Sequence, residues 1–133
     1  MASVISLIKA QLLTEIATTS INRAYEGPVT KTPSTYPWAE VIFSGGEVGE
    51  YVTQEIDRNY RMTIMVHGIT TEQVEIALEE LAVKWNTAAE LAAILALGVV
   101  VINPVAHYPP FTETNSTQMP IIGDISFAFR VQY

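Results

Sequence analysis

Strict alternation of apolar and polar positions is clearest in the middle and at the end of the chain. Val52, Ile56, Tyr60, Met62, Ile64 and Val66 fall on one side of an extended backbone, while Thr53, Glu55, Asp57, Asn59, Arg61, Thr63 and His67 fall on the other. Period two predicts an antiparallel strand with one buried face. Gln54 and Arg58 interrupt the apolar side near its start, so the early half is expected to project past the core or to meet another subunit. Ile125, Phe127, Phe129, Val131 and Tyr133 against Asp124, Ser126, Arg130 and Gln132 predict a second such strand at the end. Residues 38–43 predict a short strand, and Ser44-Gly45-Gly46-Glu47-Val48-Gly49 has turn composition. The run Val99-Val100-Val101-Ile102 alternates little and predicts a central strand covered on both faces, with Pro104 limiting pairing at its far end.

Spacings of three and four mark the helices. Ile5, Ile8, Leu12 and Ile16 form one stripe behind a possible cap at Ser3, and Thr18-Thr19-Ser20 weakens the helix after it. After Gly68, Thr70 and Gln73 have capping-box spacing, with Ile69 and Val74 placed as a hydrophobic staple. Val74, Leu78, Leu81, Trp85 and Ala88 continue the buried stripe, and Glu72, Glu75 and Glu79 line another face. Asn86-Thr87 predicts a break before a short helix that Gly98 stops. Segments 22–37 and 108–118 read as long loops, either wandering connections or arms that order against a partner. The order α, β, β, α, short α, β, β predicts an α+β fold: a mostly antiparallel sheet of about four strands with two or three helices packed on one face, in a single domain over 1–133.

Composition narrows the function classes. The chain has 133 residues and no cysteine, so disulfides and thiolate chemistry are excluded. Seven Lys and Arg against fourteen Asp and Glu give a net charge of −7, and the cations are scattered; both features disfavour a grip on DNA, RNA or an anionic membrane. The longest nearly apolar run, 91–102, is far short of the ~18–20 residues a membrane span needs. Lys9 interrupts the apolar N-terminal stretch, so no signal peptide is expected. With 49% hydrophobic and 16% charged residues, either the core is rich or apolar patches face neighbouring subunits.

Candidate chemistry is sparse. Glu55 and Asp57 stand about 7 Å apart on one strand face, which is the spacing of a solvated polar face as well as of an acid–base pair. His67 and His107 lack metal-ligand spacing, and the Gly45-Gly46-x-x-Gly49 run is followed by a strand rather than the helix a phosphate cradle needs. No catalytic, metal or cofactor site is expected.

Three stretches carry a family resemblance. Tyr36-Pro37-Trp38-Ala39-Glu40-Val41 opens the first strand after a Pro-rich lead-in; Ile64-Met65-Val66-His67-Gly68 runs straight into an acidic amphipathic helix; and 99–104, a long loop and 125–133 close the chain. In this order they resemble the tail terminator (tail completion, neck) proteins of tailed bacteriophages. The resemblance implies a non-enzymatic virion subunit, assembled in the host cytoplasm, that forms a ring, usually a hexamer. Such a ring caps the tail tube and joins it to the head. Its partners would be copies of itself, tail tube and sheath proteins and head–tail connector proteins, with DNA passing an acidic lumen without specific binding and no membrane contact. Lys31, Thr32, Pro33, Ser34, Gly45, Gly46, Glu47, Tyr51, Phe111, Thr112 and Glu113, from the two long loops and the predicted turn and strand start, are the candidate assembly residues. The alternatives are another connector or stopper protein of the neck, or a small ligand-binding domain or enzyme in which His67 or His107 meets Glu55, Asp57 or Asp124.

Overall fold

The computed structural model describes residues 4–21, 23–27, 36–52, 55–86, 88–112 and 121–132. A five-stranded mixed sheet forms from β1 (Arg23–Glu26), β2 (Trp38–Val52), β3 (Glu55–Gly68), β4 (Val99–Thr112) and β5 (Ile121–Gln132), in the order β1-β2-β3-β5-β4. Among the described strands, only the β1–β2 pair is parallel. Helices α1 (Val4–Ile16), α2 (Thr71–Ala82) and α3 (Ala88–Leu95) complete the α+β fold, with a short 3-10 turn at Lys84–Asn86.

The core lies between the helices and one sheet face. Ile8, Leu12 and Ile16 of α1 and Val74, Leu78 and Leu81 of α2 are buried against Val41, Met62, Ile64, Val66, Ile125, Phe127 and Val131. Each strand contributes alternate residues, as period two requires. Gly123 makes room for α2: a Cβ there would lie 2.6 Å from Leu78 Cδ1. The helices are also tied by polar contacts. Trp85 Nε1 donates to the buried Glu15 carboxylate at 2.6 Å, and Lys84 Nζ bridges Glu90 and Thr18, each at 2.6 Å.

Capping explains the sharp start of α2. Gln73 N donates to Thr70 Oγ1 at 3.1 Å, and Ile69 N donates back to Gln73 Oε1 at 2.8 Å. The staple does not form, because Ile69 is 66% exposed; Gly68 fills that place, so close to Val74 that a Cβ would meet its side chain at 2.7 Å. At the other end Gly98, with φ of +103°, turns the chain from α3 into β4.

Several sequence expectations are corrected. The 44–49 stretch is not a turn: β2 runs through it to Val52, paired with β3 throughout. Its glycines serve two β-bulges, between Gly45 and Glu47 and between Val48 and Glu50. Gly45 has φ of +100°, and a Cβ there would stand 2.6 Å from the Asn59 carbonyl oxygen. Val52 belongs to β2, so the long alternating strand begins at Glu55. The segment 22–37 contains a strand, β1, and the first five residues of 108–118 continue β4. The Val99 run opens an edge strand rather than a central one. Its register shifts between Pro104 and Ala106 and between Tyr108 and Phe111, where Pro104, Pro109 and Pro110 withhold N–H donors. Ser3, Thr87 and Tyr133 lie outside the described residues.

Candidate assembly surface

The sequence-selected residues do not form one patch. Gly45, Gly46, Glu47 and Tyr51 lie along the far half of β2, opposite 56–60 of β3. Phe111 and Thr112 lie at the end of β4, in the row that crosses Ile122, His67 and Trp38. At ~3.3 Å per residue, Gly45 lies about 23 Å and Tyr51 about 43 Å along β2 from the Trp38 row. Lys31, Thr32, Pro33, Ser34 and Glu113 lie outside the described residues.

The sheet edges are less inviting than the sequence implied. Beyond Val41, β2 has no outer partner among the described residues, and β4 has none along its length. Both free edges are broken by bulges, and β4 also carries prolines; such features interrupt the regular row of donors that an added strand needs. The faces are more informative. On the face without helices, Ile42 of β2, Arg61 and Asn59 of β3, Arg130 of β5, and Asn103 of β4 are exposed. A groove of about 180 Å³ is lined by Asn59, Val101, Asn103, Ala128 and Arg130 among others. Around the β4 edge, Leu91, Leu95 and Val101 are 40%, 58% and 38% exposed and border a second, apolar groove of about 150 Å³.

At the other end of the helix-free face lies a buried cluster of which the sequence reading named only His67 and Asp124 as candidate chemistry. Trp38 and His67 stack in parallel with centroids 3.9 Å apart, and Tyr25 meets Trp38 edge-on at 6.1 Å. His67 Nε2 lies 3.1 Å from Glu40 Oε1. Burial raises the Asp124 carboxyl above its ordinary value of 3.8, while the neighbouring His67 pulls it down. Among the described residues, Trp38 Nε1 and Asp124 Oδ1 are buried without a hydrogen-bond partner. One signal was available: Trp38, Glu40 and His67 all have the parity of the polar face. His67 therefore meets Glu40, which the sequence reading did not name as a candidate, and neighbours Asp124, which it did, while Glu55 and Asp57 lie at least ten residues away along the same strand. Among the described residues, no three His, Asp or Glu side chains are grouped to hold a metal ion. No described helix is long and apolar enough to cross a membrane.

The fold is that of a mixed α+β sheet domain with its helices on one face. No protein-family model matches the chain, and no curated protein matches it. Among solved structures, one similar chain belongs to a structure described as the virion of a native gene transfer agent particle. The identity is 12%, the match covers 95% of this chain and 92% of that one, and the TM-score is 0.48. A likeness this distant carries no argument about function.

Proposed function

We propose that the chain is a structural virion subunit that self-associates into a ring, terminates a phage tail tube and joins it to the head and neck. The observation that carries this reading is the number of large apolar side chains left in solvent on separate elements. Leu7 on α1, Ile76 on α2, Leu95 on α3, Ile42 on β2 and Val101 on β4 are between 38% and 58% exposed, although the core is well filled. Apolar surface distributed in this way fits a subunit that contacts more than one neighbour. The sequence resemblance to tail terminator proteins supplies the ring, the tail tube and the absence of an enzymatic role. The net charge of −7 suits a lumen through which DNA passes without sticking.

The test is direct. Light scattering and negative-stain imaging of the purified chain should give a closed ring of several subunits that caps tail tubes. A strict monomer at every concentration, with and without tubes, would sink the proposal.

A further inference from the structure

We infer that the proton on His67 is a catch for β1: with the imidazolium in place, Glu40, Trp38 and Asp124 are held together and β1 stays docked on β2, and loss of that proton releases β1. The inference stands apart from the self-association reading. The register sets Trp38 beside His67 and His67 beside Ile122, with Glu40, Met65 and Asp124 in the next row on the same face. His67, on β3, is therefore the middle member of the cluster, between Trp38 and Glu40 of β2 and Asp124 of β5. It is 8% exposed, and Trp38 is 4% exposed. The two rings stack in parallel at 3.9 Å, and Nε2 lies 3.1 Å from Glu40 Oε1. Burial raises the Asp124 carboxyl, and the charge of His67 works against that rise, so the two groups feel each other.

A proton on His67 gives the cluster one cation for two carboxylates and sets that cation on the face of an indole; both contacts favour the charged ring. Without the proton, two carboxylates flank β3 from either side, with Met65 between them. A carboxylate that loses its buried counter-charge is costly to keep in place. The other titratable or charged groups on this face, among the described residues, are Arg23 and Tyr25 of β1, in register with Trp38 and Glu40, and Tyr108 of β4, in register with Asp124. Arg23 is exposed, so water and salt screen it, and it cannot replace the imidazolium. β1 is the element least able to bear the change. It has four residues, pairs with β2 alone among the described strands, and leans on the cluster through Tyr25, edge-on to Trp38 at 6.1 Å. β2, β3 and β5 are instead anchored by Val41, Ile64 and Ile125 in the core. Relief therefore comes by local opening of β1, which costs far less than unfolding the sheet. With both carboxylates ionised, the catch is closed on the acid side of the His67 titration and open on the alkaline side.

The experiment follows the full chain by hydrogen exchange between about pH 5 and 8, with protection corrected for the intrinsic rate at each pH, while the imidazole resonances report the His67 titration. Protection of the amides that pair β1 with β2, at 23–26 and 38–41, should fall by roughly tenfold as His67 loses its proton, the effect of one unit of difference between the closed and open forms. The midpoint of that fall should coincide with the His67 titration, and Met62 to Val66 should stay protected throughout. His107→Gln, which leaves His67 as the one imidazole, should behave as the natural chain does. His67→Gln should remove the pH dependence. Glu40→Gln keeps the histidine but takes away one anion, so it should move both midpoints to lower pH together; it decides the matter if His67→Gln fails to fold, as circular dichroism would show. Constant protection of 23–26 across the range overturns the inference. So does a pH dependence that survives in His67→Gln or disappears in His107→Gln. A loss of protection shared equally by Met62 to Val66 overturns it as well, since the proton would then govern the whole fold rather than β1. The oligomeric state, on which the proposed function depends, is read separately and is not decided by any of these results.

Discussion

On the helix-covered face of the sheet, Val41, Met62 and Ile64 are completely inaccessible, and Ile125 and Phe127 nearly so. Next to Val41 and Met62, Ile42 and Arg61 stand in solvent, as does Arg130 between buried Phe129 and Val131. The pleat alone makes this division, because successive side chains point to opposite sides. The difference separates two demands on the sequence. The covered face must be filled to close packing for the chain to fold, whereas the open face can hold charge and isolated apolar groups at little cost to the fold. Substitutions on the two faces should therefore fail in different assays.

The largest effect is expected on the covered face. Phe127 is 2% exposed and meets Trp85 edge-on at 4.9 Å. Phe127→Ala removes that contact and leaves a cavity under the 3-10 turn, at a cost of about 3–5 kcal/mol. Chemical denaturation should show the loss directly. A change within about 0.5 kcal/mol, the ordinary range for surface positions, would mean that the face is not the core it is described to be.

A smaller loss is expected where the strands leave the helices behind. Gly45→Ala places a side chain at φ of +100°, with its Cβ 2.6 Å from the Asn59 carbonyl. The obstacle is backbone on the partner strand, so the β2–β3 ladder must shift or the bulge must open. A strained position of this kind costs about 1–3 kcal/mol. Hydrogen exchange should quicken at 45–52 and 55–60 while Met62 to Val66 stay protected. Uniform acceleration would show that the bulged half and the helix-covered half unfold as one unit.

How much of this was legible in the sequence follows from what each residue signals. The faces of β3 and β5 were readable because alternation survives over many residues. The start of α2 was readable because Thr70 and Gln73 cap by local geometry. β1 was missed: its four residues are half-exposed and pair in parallel with a distant segment, so no local period betrays them. The 44–49 stretch was misread because glycine serves a bulge as readily as a turn, and only the partner strand decides between them. Val99 to Ile102 looked central because a register shift between Val99 and Val101 breaks the alternation, although Pro104 was already a mark of an edge. The candidate surface fared worse. Loops and a supposed turn drew attention, whereas Arg61 was visible only as one member of a polar face. Ile76 and Val83 have the same chemistry as core residues, and only their angle on α2 separates them from Leu78 and Leu81.

The smallest effect sharpens the comparison by charge rather than volume. Asp124 is the open-face residue on β5 between buried Gly123 and Ile125, and burial raises its carboxyl above 3.8. Between 3.8 and that raised value, the folded chain holds a proton that the unfolded chain has already released. The stability contributed by Asp124 is therefore complete below 3.8, and it is lost as pH rises through the folded value. Asp124→Asn keeps an oxygen at the position of the buried Oδ1 but cannot ionise. Thermal melts across a pH series should show the variant gaining on the natural chain from just above 3.8 toward neutrality, with the two converging below it. The His67 charge opposes the shift, so the gain should widen when His67 is also replaced by Gln. Parallel curves for Asp124→Asn and the natural chain would show that the carboxylate is solvated in the folded state. The closed end of the helix-free face would then be as open as the end that carries Arg61 and Arg130.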